Sequence, residues 1–256
     1  MSIREPWIRR MGFLRDQEGI INRYLREKGN WDPHLNHTKE FIIRCFRDDR
    51  VQTVAVLGSG WLLDVPLEEM ARRFTAIYLV DIRHPPQIRK KVESMNRVKL
   101  IEADLTGGAV EQIWKRIHRQ RLRDPEEIIG DLVFTPPLRL LRPDAHISVN
   151  LLNQLDILLC DYLGKRRHFQ QQHLHHLRSW LQNTHLDWIR SLPGCIVTDT
   201  VEINRDKTGA ESRINLIYCD LPKGNHADTW IWEFDSMGTY RSGNITSMEV
   251  QAVEWS

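Results

Sequence analysis

The stretch VQTVAVLGSGWLLDVPLEEMARRFTAIYLVDI, Val51 to Ile82, decides the fold. Within it, Val54 to Leu57 is a short apolar run rich in β-branched residues, and Gly58-Ser59-Gly60 interrupts it, the pattern of a buried strand entering a tight turn. Leu67, Met70, Ala71 and Phe74 then recur at helical spacing, with Glu68, Glu69, Arg72 and Arg73 on another face. Ile77 to Val80 reads as a second apolar strand, ending at Asp81. The sum is a βαβ unit. Its glycine turn lets backbone N–H groups and a helix N-terminus approach a ligand, and an acid roughly 20 residues on accepts from a ribose hydroxyl. The bland alternative is that Gly58 and Gly60 only turn a strand into a helix. Asp81 favours an adenosine-containing cofactor, because it falls at the carboxyl edge, where open α/β sheets bind ligands. The third glycine of a dinucleotide fingerprint would fall on Leu63, which counts against a nicotinamide cofactor.

A chain of 256 residues can bury a substantial core as one large domain with an appended cap. With 36 Lys+Arg against 34 Asp+Glu the net charge is +2, so no global field points to nucleic acid or a membrane surface. The basic clusters Arg89-Lys90-Lys91, Lys115 to Arg123 and Lys165-Arg166-Arg167 read as solvated helix faces, and nucleic acid is not favoured as a partner. Cys45, Cys160, Cys195 and Cys219 form no CxxC pair, and three lie in apolar contexts, which points to free thiols and a cytoplasmic location. The start, MSIREPWIRR, lacks the apolar core of a signal peptide, and no run of about 18 apolar residues exists to span a membrane.

Residues 3–48 read as helical, with a break at Gly29-Asn30-Trp31-Asp32-Pro33 and a second helix through Phe41, Ile42 and Cys45. Residues 1–48 are thus expected to form a helical cap, and 49–256 the domain beneath it. Trp31, His34, His37 and Thr38 cluster where the two helices meet. Packing and N-capping by Asn36 or Thr38 is one reading. The other is a substrate-side lid with Trp31 and His34 in the wall and His37 as general base, since imidazole accepts a proton near neutral pH.

Beyond the first unit, His84-Pro85-Pro86 opens a basic helix to about Asn96, and Val98 to Glu102 is a third strand followed by Asp104. Asp104 can accept from an adenine amino group or cap the helix that follows. Gln112 to Arg123 reads as a helix and Asp124 to Pro143 as irregular. Asp131 to Pro137, DLVFTPP, is similar to the loop with which amino-methylating enzymes grip a nucleobase nitrogen. Only seven residues separate Pro137 from Ala145, too few for a helix before the next strand, so the fourth strand is assigned to 144–149, ending at Asn150. A long helical region, 156–190, leads to the strand within LPGCIVTD, 192–199. Thr229 to Phe234 and Thr246 to Glu254 alternate as a closing antiparallel hairpin around Gly238 and Gly243.

Five landmarks in order make the chain resemble the class I S-adenosylmethionine-dependent methyltransferase superfamily from about residue 34 to the end. They are LGSG, the acid in LVDI, the acid in EADL, the strand and helix DAHISVNLLNQL, and LPGCIVTD. The resemblance implies an α/β, Rossmann-like open sheet of about seven strands, mostly parallel with the C-terminal antiparallel hairpin, beneath the N-terminal helical cap. It implies S-adenosylmethionine as cofactor, methyl transfer to a small-molecule substrate as activity, and a set of donor-site residues. Gly58, Ser59 and Gly60 would face the methionine part, Asp81 with Ile82 the ribose, Asp104 and Leu105 the adenine, and Asn150 with Leu151 the rim. Two positions depart from the family: the acid usually found two residues before the first glycine is Val56, and the usual third glycine is Leu62. Asp64 is near enough in sequence to replace the missing acid. The altered loop also leaves open a non-catalytic nucleotide-binding or interaction domain on the same fold.

His168, His173, His175 and His176 bring no carboxylate or cysteine with them, so a metal site is not expected. No GxSxG elbow and no phosphate-cradling GxxxxGK is present, so serine hydrolysis and P-loop chemistry lack support.

Overall fold

A computed structural model describes residues 6–46, 50–119 and 124–256. The chain runs α1 (Pro6–Arg10), α2 (Phe13–Arg44), β1 (Thr53–Leu57), α3 (Leu67–Arg73), β2 (Ala76–Asp81), α4 (Pro86–Val92), β3 (Val98–Glu102), α5 (Ala109–Arg119) and α6 (Pro125–Gly130). It continues β4 (Ala145–Val149), α7 (Gln154–Gly164), α8 (Gln171–Ile189), β5 (Gly194–Arg205), β6 (Glu211–Asn215), β7 (His226–Asp235) and β8 (Ile245–Trp255).

The strands form one sheet of order β3-β2-β1-β4-β5-β8-β7, with β6 pairing the outer half of β5. β1 to β5 are mutually parallel, and β8 runs antiparallel between β5 and β7. Val54 and Val56 join one core layer with Ile77, Leu79, Ile147 and Val149, whereas Ala55 and Leu57 join the layer on the other face with Leu152, Leu155, Leu186 and Ile189. That alternation is the strand's two-residue period, and burial on both faces explains why β1 and β4 read as unbroken apolar runs. β4 starts one residue later than the expected 144 and ends at Val149 as expected, and Pro136-Pro137 lie outside the sheet.

The N-terminal helix departs from expectation. No break occurs at 29–33; α2 is continuous through Pro33 and kinks at Glu27 (φ −102°, ψ 15°). Proline removes the donor owed to the Gly29 carbonyl and crowds it, so the helix bends in the preceding turns rather than ending. Glu27 stabilises the bend from the far side, its carboxylate accepting from Asn30 Nδ2 at 2.8 Å and from Ser236 Oγ at 2.8 Å. Before the kink, α2 crosses the carboxyl edge of the sheet: Gln17 reaches the loop after β2, and Arg26 reaches Thr239 beyond the end of β7. After it, the helix descends the face of β7, where Trp31, His34 and His37 stack on Phe234, Trp232 and Trp230.

Three further differences are local. The expected helix over 156–190 is two helices separated at 165–170, and the segment expected to be irregular contains α6, capped by Asp124, whose carboxylate accepts from Glu126 N at 2.9 Å. The end of the expected basic helix falls outside α4, and residues 120–123 of the Gln112 to Arg123 expectation lie outside the described residues. The outer half of β5 and all of β6 were not anticipated; every residue of β6 is exposed, so no apolar alternation marks it.

Candidate functional site

The glycine turn packs against the end of β4. Gly58 has φ +82°, and a Cβ there would lie 2.8 Å from the Val149 carbonyl oxygen and 2.9 Å from the Leu151 Cβ. Only glycine satisfies both the conformation and the contact. Leu62, where the resemblance expects a third glycine, has φ +55°, the left-handed region glycine adopts most readily, and its side chain is buried.

Asp81, at the end of β2, accepts from the Gly60 N–H at 2.8 Å and from Gln17 Nε2 at 3.3 Å. Gln17 also donates to the Arg83 carbonyl at 2.7 Å, while its own carbonyl accepts from Trp61 Nε1 at 2.8 Å. The first half of α2 is thereby fastened over the glycine turn. Burial pushes the Asp81 carboxyl up to about 6, against the amide donors that hold it down. Ser59 Oγ meets His84 Nε2 at 3.1 Å beneath the turn.

Beyond β3, Asp104 Oδ1 accepts from the Thr106 N–H at 2.9 Å, which makes Asp104 a local cap, while Oδ2 is buried with no partner. Burial raises its pKa as well. Leu105 is buried, and Phe134, from the DLVFTPP segment, covers Gly107 so closely that a Cβ there would lie 2.2 Å from the ring. That segment is therefore the outer wall beside Asp104 rather than a strand end.

A second group gathers between β1, β4 and β5. Asn150 (φ +45°) donates through Nδ2 to Asp64 Oδ2 at 2.7 Å, and its Oδ1 is buried without a partner. Asn153 donates to Asp199 Oδ2 at 3.4 Å, leaving its own Oδ1 and the Asp199 Oδ1 unpartnered. Asp199 sits at the bulge where β5 shifts register against β8. Burial, and secondarily the charge of Asp64, pushes its carboxyl up to about 7.

His34 faces the same group. Its Nδ1 lies 3.0 Å from Trp230 Nε1, and its Nε2 lies 3.3 Å from Asn150 Nδ2. Indole N–H only donates, so Nδ1 is the acceptor and the proton of the neutral ring is on Nε2. Burial holds its pKa down to about 3, so the ring is neutral at physiological pH. The 3.3 Å approach therefore sets one donor against another, and the Nε2–H still lacks an acceptor.

The structure thus brings Gly58, Ser59, Gly60, Asp81, Ile82, Asp104, Leu105, Asn150 and Leu151 to one edge, with His34 beside Asn150. Trp31 is buried against β7, its Nε1 donating to the Phe234 carbonyl at 2.9 Å. His37 stacks on Trp230 and meets Asp228 at 2.9 Å on the outer strand. Sequence reading quoted Asp199 only as the end of a motif and missed Asn153. The available signal was an acid closing the apolar run Cys195 to Val197 and an Asn just before the helix that follows β4. Among the described residues no group of three or more His, Cys, Asp or Glu is placed to hold a metal ion, and no helix is long and apolar enough to cross a membrane.

No family model and no curated protein matches this chain. Among solved structures it is similar to the methyltransferase domain of bacterial CtHen1-CN, at 13% identity over 86% of this chain and 100% of that one, with a TM-score of 0.35. It is also similar to the chain of a DhpI–SAH complex (12% identity, 93% and 95% covered, TM-score 0.37) and to that of a DhpI-SAM-HEP complex (11%, 92% and 96%, 0.36). The strand order, with an antiparallel strand slotted between the fifth and the last, decides the architecture. The fold is a Rossmann-like open sheet, mostly parallel with a C-terminal antiparallel pair, flanked by helices.

Proposed function

We propose that this chain is an S-adenosylmethionine-dependent methyltransferase whose donor lies across Gly58, Ser59, Gly60, Asp81, Ile82, Asp104 and Leu105, with Asn150 and Leu151 at the rim. The single observation that carries the reading is the unpartnered buried oxygen of Asp104, one strand end from Asp81, at the place where the resemblance expects an adenine amino group. A buried acceptor with no donor costs about 1–3 kcal/mol, and an adenine N–H would satisfy it. Gly58 supports the same reading, since its missing side chain keeps the strand ends close, and Asp81 has lone pairs left for ribose hydroxyls. Asp64, fixed by Asn150, replaces the acid absent at Val56 and faces the donor's ammonium.

The donor supplies a methyl group already activated on a sulfonium, so the protein's work is alignment and exclusion of water. Gln17 and Trp61 close the ribose side, Phe134 walls the adenine side, and the first half of α2, before the kink at Glu27, acts as the lid. On the acceptor side Asp199 rather than His37 is the group for a proton, because His37 is engaged with Asp228 outside this cluster. Calorimetry with S-adenosylmethionine, S-adenosylhomocysteine, NAD and ATP tests the reading: the first two bind and the last two do not. Preference for NAD or ATP, or no binding of either sulfur compound, refutes it. Donor binding without transfer to any acceptor would instead favour the non-catalytic domain.

A further inference from the structure

On the reading of the edge as a methyl-donor site, we infer that the adjoining cluster of buried polar side chains, Asp199, Asn153, Asn150 and His34, takes a protonated amine, and that an amine is the methyl acceptor. Three of these side chains come from different elements, the bulge in the middle of β5, the N-cap of α7 and α2, and all are more than nine-tenths buried: Asp199 is 4% exposed, Asn153 6% and His34 1%. Unmet polar groups nevertheless converge there. Asp199 Oδ1, Asn153 Oδ1 and Asn150 Oδ1 are all acceptors without donors. Native interiors rarely leave such a cluster unsatisfied, so the deficit describes a ligand. The missing ligand is rich in N–H groups: an ammonium has three donors and no acceptor, which matches three acceptor oxygens with a carboxylate among them.

Charge points the same way. Among the described residues no Lys or Arg pairs with Asp199; its partner is the neutral amide of Asn153. Its charged neighbour is Asp64, of the same sign, on which Lys39 acts weakly from α2. His34 contributes no positive charge, since its ring is held neutral by burial. Asp64 alone matches the donor's ammonium, so Asp199 is a second uncompensated carboxylate awaiting a second cation. A phosphate or a carboxylate would instead bring negative charge up to an uncompensated carboxylate.

Chemistry follows from the same contact. Asp199 accepts one proton from the bound ammonium, which leaves a nitrogen lone pair and a neutral carboxylic acid. That lone pair forms the N–CH3 bond as the S–CH3 bond breaks; the electron pair stays on sulfur as the thioether, and nitrogen takes the positive charge. The Asn153 and Asn150 carbonyl oxygens hold the remaining N–H groups and so aim the lone pair.

The test uses the full chain saturated with S-adenosylhomocysteine and titrates propylammonium chloride against 1-propanol, its neutral near-isostere, at pH 8. Tryptophan fluorescence and calorimetry read the binding. Propylammonium should bind at least tenfold more tightly than the alcohol, and Asp199→Asn should remove that preference. Because a variant can fail to fold, the wild type is also titrated at pH 5.5, where propylamine stays cationic while Asp199 is protonated; the preference should fall at least tenfold there. Equal affinity for amine and alcohol at pH 8, or a preference unchanged between pH 8 and 5.5, overturns the inference while donor binding stands. If S-adenosylhomocysteine itself does not bind, the donor reading fails first and this inference falls with it.

Discussion

The two halves of the sheet's carboxyl edge are built on different principles. On the β1–β2 side Asp81 is held by a backbone amide of the glycine turn and by Gln17, and the turn is fixed by a contact that only glycine permits. On the β4–β5 side Asn150, Asn153 and Asp199 leave three oxygens unmet, and a neutral imidazole turns its N–H toward an amide nitrogen. One side is preorganised by the protein itself, while the other leaves its polar groups open to a ligand, as we propose. Buried polar groups that lack partners weaken the fold and strengthen binding of whatever supplies them, so the comparison is measurable as stability against affinity.

The largest effect lies on the incomplete side. Asp199 titrates at about 7 in the fold against an ordinary carboxyl value near 4 in the unfolded chain, so between these pH values the native state holds the extra proton. Stability contributed by the protonated form is present below pH 4 and lost as pH rises through 7. Asp199→Asn escapes that loss. It should raise unfolding stability at pH 8, by at most about 4 kcal/mol, and leave it nearly unchanged at pH 4. Urea melts at the two pH values check this, and an equal effect at both would place the cost elsewhere.

The preorganised side should respond in the opposite direction. Gly58→Ala places a methyl against the Val149 carbonyl in a left-handed backbone, and about 3 kcal/mol of stability should be lost together with donor binding. A variant with unaltered melting and unaltered affinity would mean the turn is looser than its contacts indicate. Asp81→Ala, by contrast, removes a binding group rather than a packing contact. Donor affinity should fall by about 1.5–3 kcal/mol, as for a hydrogen bond to a charged group, and calorimetry giving wild-type affinity would remove the ribose assignment.

The smallest effect sharpens the boundary of the site. His37 and Asp228 form a half-exposed pair on the outer strand, and such pairs contribute about 0.5 kcal/mol. His37→Ala should therefore leave methyl-transfer rates within about threefold of wild type. A loss of a hundredfold or more would restore His37 to the acceptor side and displace Asp199.

Periodicity and punctuation made the sheet legible. Apolar runs bounded by glycine, proline or an acid can satisfy their backbone only as buried strands, and their order along the chain left little freedom of topology. Gly58, Asp81, Asp104 and Asn150 were readable for the same reason, since each terminates a strand and so reaches the carboxyl edge wherever the sheet forms. Local chemistry did not determine how α2 bends: Pro33 suggested a break, but Trp232, Phe234 and Ser236, some 200 residues away, supply contacts that keep the helix running through it. The tautomer of His34 likewise depends on Trp230, and the unmet oxygens of Asn153 and Asp199 depend on β5 meeting the start of α7. The sequence by itself determined the parallel strands of the sheet and the residues that follow them, because those depend on local sterics and a two-residue period. Tertiary structure alone decided which polar groups are left without partners, because satisfaction of a buried hydrogen bond is a property of pairs brought together from distant parts of the chain.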